Sequence, residues 1–181
     1  MAVDLTGHPG VIEAYAAFDT VGLIVDETFD PNSLTQNARP KTQNAKVHQI
    51  PVLYDGEDLE EVAQIKGLTV QGLIALHARE YECRAVGFCP GFAYLAPLPA
   101  EIDLPRRDTP RIRVAPGSVA IAAGMTAIYP LERPGGWWLI GRTPLTLVDE
   151  ADEYFPISAG DRICFHPIDE SEYASRMGER L

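Results

Sequence analysis

Beyond residue 81 the chain breaks into short apolar runs punctuated by proline and glycine: CRAVGF, IRVA, SVAIAAG, AIYPL, WWLIG, LTLVD and RICFHPI. Strands recurring at such regular spacing predict a mainly β fold, a compact barrel or sandwich rather than a parallel α/β sheet. The first part reads differently. VIEAYA (11–16) and TVGLIVD (20–26) predict two short strands turning at Phe18–Asp19. The polar stretch 30–46 has no periodicity and reads as a linker or loop. VHQIPVLY (47–54) predicts a strand in which Pro51, having no N–H, favours an edge. Asp58 opens a helix, LEEVAQIKG, with Leu59, Val62 and Ile65 at helical spacing and Gly67 as its stop. Thr69 caps a second helix, VQGLIALHARE, with Leu73, Leu76 and His77 on one stripe. The closing DESEYASRMGERL predicts at most a short helix or a frayed tail.

A chain of 181 residues suits one good-sized domain, with a small appendage at most. Such a length buries about 70% of its unfolded surface, so neither disulfides nor metals are needed to hold it. Three cysteines, Cys83, Cys89 and Cys164, have no metal-like spacing and leave an odd one, which reads as reduced thiols in a cytoplasm. The opening MAVDLTGHPG has no basic leader region, and no apolar run approaches the ~20 residues of a membrane helix. A net charge of −11 argues against duplex nucleic acid or an anionic membrane as partner. Lysines occur only at 41, 46 and 66; after these every formal cation is Arg, with Arg106, Arg107, Arg111 and Arg113 within eight residues. Arg grips carboxylate or phosphate through a planar fork, so this knot is a candidate anion site. The competing reading is a set of structural Arg–carboxylate pairs.

Familiar catalytic signatures are missing: no G-x-x-x-x-G-K-[ST], no G-x-S-x-G and no H-E-x-x-H. His8, His48, His77 and His166 are scattered, so no metal site is expected. Cys89 and Ser118 have no base near them in sequence, and a buried small side chain is the better reading of Cys89. What stands out is Gly87 to Thr143, where Gly87, Gly91, Gly117, Gly124, Gly135, Gly136 and Gly141 outline rigid turns. Phe88, Phe92, Tyr94, Tyr129, Trp137 and Trp138 offer walls, and Arg106, Arg107, Arg111 and Arg142 offer charge. These parts fit a concave pocket for a small polar or anionic ligand. The alternative makes the aromatics core and the glycines the shapers of a tight barrel, and one of Trp137 and Trp138 must face inward.

The string GFCPGFAYL…PRRDTPRIRVAPGSVAIAAGMTAIYPLERPGGWWLIGRTPL resembles the family called allophanate hydrolase subunit 1. That family includes the B subunit of 5-oxoprolinase, sporulation-kinase inhibitors and part of the carboxyltransferase domain of urea carboxylase. The likeness runs from about Ile50 to Ile168. It implies a cyclophilin-like β barrel with two short helices at 47–181. It also implies a linker at 36–46 and, at 1–35, the final strands of a small α/β domain that relatives carry in longer form. It implies one component of an ATP-dependent amide- or lactam-cleaving hydrolase. The site would be shared with a partner resembling allophanate hydrolase subunit 2, the C subunit of 5-oxoprolinase. Two other implied roles are a non-catalytic inhibitor of a histidine kinase and a carboxyltransferase-like module for urea-type substrates. On the first role the ligand, a small amide or carboxylate, touches His77, Tyr94, Arg107, Arg111 and Arg142, with Phe88 and Phe92 as walls. No nucleophile or general base is assigned. Met125 stands where the family commonly has Gln, which removes an amide donor and offers an apolar wall instead.

Overall fold

The computed structural model describes residues 5, 7–34 and 45–181, so 35–44, the middle of the stretch read as a linker, lie outside the described residues. In chain order the strands are β1 (Val11–Ala17), β2 (Thr20–Val25), β3 (Val47–Val52), β4 (Glu80–Val86), β5 (Ala93–Ala96), β6 (Arg111–Val114), β7 (Ser118–Ala122), β8 (Met125–Ile128), β9 (Arg133–Gly135), β10 (Trp138–Arg142) and β11 (Arg162–Pro167). The α-helices are α1 (Leu59–Lys66), α2 (Val70–His77) and α3 (Glu170–Ser175). None is long and apolar enough to cross a membrane.

Strands β10, β7, β8, β5 and β4 run side by side, and the start of β4 passes to β11, which pairs in parallel with β3. Beyond β3, Leu53 and Arg142 exchange two N–H···O bonds of 2.9 Å at the end of β10. That bridge brings the two ends of a seven-strand ring together and nearly closes a barrel, which removes most free sheet edges. The mainly β reading is met, with one parallel pair in an otherwise antiparallel ring. Along its length β3 pairs with β11 alone, the edge position that Pro51 favours. The β1–β2 hairpin turns at Phe18–Asp19 and lies outside the ring. It is tied to β4 by the Ala17–Ala85 pair and by Phe18 N–H donating to the Arg84 carbonyl at 3.0 Å.

Strand β7 explains how one sheet carries two cores. Its sequence alternates large and small residues, and strand side chains alternate faces. Val119 and Ile121 enter the barrel with Ile50, Leu73, Leu95, Ile140 and Phe165. Ala120 and Ala122 face outward, where their small size leaves room for Phe92, Tyr129 and Trp137. All five β7 residues are therefore buried.

Helices α1 and α2 pack against the barrel core. Gly67 ends α1 at φ 65°, and the Thr69 hydroxyl accepts from Gly72 N–H at 3.0 Å. Ile65 is 51% exposed, so the α1 stripe is Leu59, Val62 and Ala63, one step from the expected one. The second helix stops at His77 because Glu80 already pairs in β4. The tail is anchored, not frayed: Glu179 C=O accepts from Thr146 N–H at 2.8 Å, and Leu181 C=O accepts from the Tyr154 hydroxyl.

His77 is fully buried and uses both ring nitrogens. Thr126 Oγ1 donates to Ala120 C=O at 3.0 Å, so it accepts from His77 Nε2–H at 2.8 Å. Nδ1 is then the unprotonated nitrogen and accepts from the Tyr54 hydroxyl at 2.7 Å. Burial pushes the His77 pKa down to about 3. Between about pH 6.5 and that value the unfolded chain binds a proton that the folded chain refuses, so stability falls as pH drops through this window. At 1.36 kcal/mol per unit, acidifying from pH 7 to pH 5 should remove about 2 kcal/mol, readable from urea midpoints at the two pH values. A pH-independent midpoint would refute the neutral, buried His77.

Candidate functional site

The GFCPGF segment shapes one wall of a cavity. Phe92 N–H donates to Cys89 C=O at 3.1 Å across a turn whose Pro90 and Gly91 (φ 72°) fit the type II pattern. The turn drives Phe92 into the outer core, 1% exposed, while Phe88 stays on the surface at 61%. Phe88 also holds φ 71°, a left-handed conformation costing a bulky residue on the order of 1–3 kcal/mol. Phe92 sits at the hub of an aromatic cluster, edge-on to Phe88 (5.3 Å), Tyr94 (5.0 Å), Tyr129 (5.3 Å) and Trp137 (5.8 Å).

The opposite wall comes from ERPGGW. Strand β9 pairs with β6, and Gly136 C=O accepts from Arg107 N–H at 2.7 Å, fixing the 104–110 loop beside it. A Cβ at Gly135 would collide with the Tyr129 hydroxyl, so glycine is required for this approach. Together Phe88, Phe92, Tyr94, Arg106, Tyr129, Pro134, Gly135, Gly136 and Trp137 line a cavity of about 190 Å³. A second hollow of about 290 Å³, over Trp138, shares Arg106.

The lining supplies hydrogen-bond donors. Among the described residues, no carboxylate, histidine, cysteine or serine lines the cavity. Burial pushes the Tyr94 and Tyr129 phenols up, against an opposing pull from the Arg106 charge, so both stay protonated at neutral pH. The arrangement can bind and orient a small ligand but cannot by itself abstract a proton or attack a carbonyl.

The structure brings Phe88, Phe92 and Tyr94 together as read from the sequence. It separates the other expected contacts. His77 is in the barrel core, locked between Tyr54 and Thr126, so it does not face the cavity. Arg107 donates to Asp58 at 2.8 Å and lies 4.7 Å over the Trp138 ring. Arg111 donates to the same Asp58 oxygen at 2.6 Å and to Glu57 at 3.2 Å. Arg142 pairs with Asp55 at 2.7 Å and covers Tyr173 at 4.5 Å, beside the barrel seam. All three arginines stand in ion pairs, and within the cluster Arg107 and Arg111, like Arg113 with Glu132, form the carboxylate pairs of the competing reading. The cation that reaches the cavity is Arg106, which has no ion-pair or hydrogen-bond partner among the described residues. Sequence reasoning missed Asp58 as the anchor of the cluster; its position at a helix start masked a tertiary role.

Of the remaining residues, Cys89 is buried, and desolvation raises its thiol pKa against an opposing pull from Arg133. Ser118 is buried in β7. Met125 packs against the aromatic cluster without lining the cavity. Trp137 is the buried tryptophan, at 4% exposure in the outer cluster, while half-buried Trp138 packs against the barrel core and donates its indole N–H to Pro105 C=O at 2.7 Å. No group of three or more His, Cys, Asp or Glu among the described residues is placed to hold a metal.

Residues 2–157 match the family described as the carboxyltransferase domain, subdomain C and D. The chain is 37% identical to the 5-oxoprolinase B subunit of Escherichia coli O157:H7, over 94% of this chain and 84% of that protein. It is 41% identical to the 5-oxoprolinase B subunit of Bacillus subtilis strain 168, over 77% of this chain and 60% of the relative. Among solved structures, TTHA0988 superposes with a TM-score of 0.80 at 36% identity, covering 89% of this chain, which spans only 34% of that longer one. The shared barrel, the matched residues and the identity to these relatives have one consequence: the chain belongs to the carboxyltransferase subdomain C and D family, together with the B subunits of 5-oxoprolinase.

Proposed function

We propose that the chain is the B-type component of a 5-oxoprolinase-type hydrolase, an ATP-dependent assembly that opens a small amide or lactam. The three relatives named as 5-oxoprolinase B subunits support this reading. The observation that carries it is the cavity walled by aromatic rings and bearing Arg106 and two phenols. It can bind, but among the described residues its lining holds no nucleophile or base, so the reaction has to be completed by groups from a second protein. A C-type partner fits that role, and closing the cavity against it would exclude water.

The aromatic cavity by itself does not fit ATP. The cavity, at about 190 Å³, is below the roughly 300–1,000 Å³ of pockets that take drug-sized ligands. Arg107, Arg111 and Arg142, the cations expected to hold phosphate, are committed to Asp58, Glu57 and Asp55. The nucleotide is therefore assigned to the partner side.

The test is co-expression with a C-type protein, followed by an assay of ATP consumption dependent on 5-oxoproline with an A-type protein added. A stable complex that turns over is expected, with no turnover by the chain alone. A tight complex that ignores 5-oxoproline would sink the substrate assignment, and no complex at all would sink the role in an assembly.

A further inference from the structure

We infer that the cavity between Phe88 and Trp137 is a carboxylate subsite, in which Arg106 and the Tyr129 hydroxyl hold the carboxylate of a small flat ligand. This rests on the hydrolase reading for the identity of the ligand, a cyclic amide bearing one carboxylate, but its chemistry stands on the cavity alone.

Three observations converge. First, among the described residues Arg106 is the one lining side chain with a full charge, and it has no counter-ion there, whereas Arg107 and Arg111 share Asp58. A guanidinium facing a site without a carboxylate selects an anion, and its fork matches two oxygens at once. Second, Tyr129 is 1% exposed as a residue and lines the cavity. Its hydroxyl has no hydrogen-bond partner among the described residues, so its proton is free to be donated to a ligand in the cavity. Third, the remaining walls are the rings of Phe88, Phe92, Tyr94 and Trp137, which suit a flat ring, and a volume of about 190 Å³ suits a small ligand. Gly135 completes the arrangement by letting the Tyr129 hydroxyl approach the β9 backbone.

Inorganic phosphate is the rival anion. A lining with one free cation among the described residues, set in apolar walls, favours a singly charged organic acid over a strongly hydrated dianion.

Trp137 lines the cavity, so its fluorescence reports occupancy in the isolated chain; KM for 5-oxoproline reports it in the assembled hydrolase. The probes are 5-oxoproline, 2-pyrrolidinone (the same lactam without its carboxylate) and inorganic phosphate. 5-Oxoproline should bind at least about tenfold more tightly than either of the others. Arg106→Ala should weaken it by about 10- to 100-fold, the loss of one charge-assisted pair. Arg106→Lys should recover part of that, and Tyr129→Phe should weaken binding severalfold. Arg106 is exposed, so the thermal midpoint of its variants should not move. Equal binding of 2-pyrrolidinone, preference for phosphate, no binding of 5-oxoproline, or an Arg106→Ala variant with unchanged affinity and KM would each overturn the subsite. An active assembly with KM indifferent to Arg106 would remove the subsite and leave the hydrolase reading. Arg106-dependent carboxylate binding without turnover would do the reverse.

Discussion

Replacing Asp58 by Ala is expected to destabilise the protein by about 3–5 kcal/mol, the range for breaking a buried ion pair from one side. Its carboxylate is 4% exposed, and its two oxygens serve three donors. Oδ1 accepts from Arg107 at 2.8 Å and Arg111 at 2.6 Å, and Oδ2 accepts from Leu139 N–H at 2.7 Å. Alanine leaves two partly buried guanidinium groups and a buried backbone N–H without their acceptor. Against a total stability of about 5–15 kcal/mol, that is a large share. Asp58→Asn keeps an acceptor for Leu139 but not the charge, so it should lose about 1–3 kcal/mol. Urea midpoints at pH 7 measure both. A shift below about 1 kcal/mol for Asp58→Ala would mean that the arginines are held by something else. Arg111→Ala should likewise lower stability, because Arg111 is the other half of this pair.

Gly135→Ala should damage fold and site together. The new Cβ would meet the Tyr129 hydroxyl and ring, and Tyr129 is too buried to swing away. Overpacking of this kind typically costs about 1–3 kcal/mol. Displacing the phenol also removes a cavity donor, so affinity for 5-oxoproline should fall about tenfold or more. A second substitution separates the two effects. In Gly135→Ala/Tyr129→Phe the phenol oxygen, the nearest obstacle, is gone, so part of the stability should return while binding does not. Recovery of binding in the double variant would show that the hydroxyl has no role in it.

Much of the fold was legible locally. The β1–β2 turn at Phe18–Asp19, the Gly67 stop, the Thr69 cap and the edge placement of β3 depend on backbone chemistry within a few residues. The barrel class followed from the rhythm of short apolar runs. Ile65 failed because helical spacing marks two adjacent stripes, and only packing selects between them; Ala63 took the buried place. The site was half legible: GFCPGF announced an aromatic wall because its proline and glycine force a turn that parts Phe88 from Phe92.

The arginines show where the sequence stops. Arg106 and Arg107 are neighbours of identical chemistry, and nothing local distinguishes the ligand contact from the structural pair. The fold decides, by placing Asp58, 49 residues before Arg107, beside Arg107 and Arg111 and leaving Arg106 to the cavity. His77 was decided in the same way: its helical position was readable, but its neutral state depends on Tyr54 and Thr126 arriving from other elements. The sequence by itself determined strands, turns, caps and the family, because those rest on local conformational preference and on a long motif. Charge pairing, protonation and the placing of Arg106 at the cavity were left to the tertiary structure, because electrostatic partners are chosen by distance in space and by burial, neither of which is written along the chain.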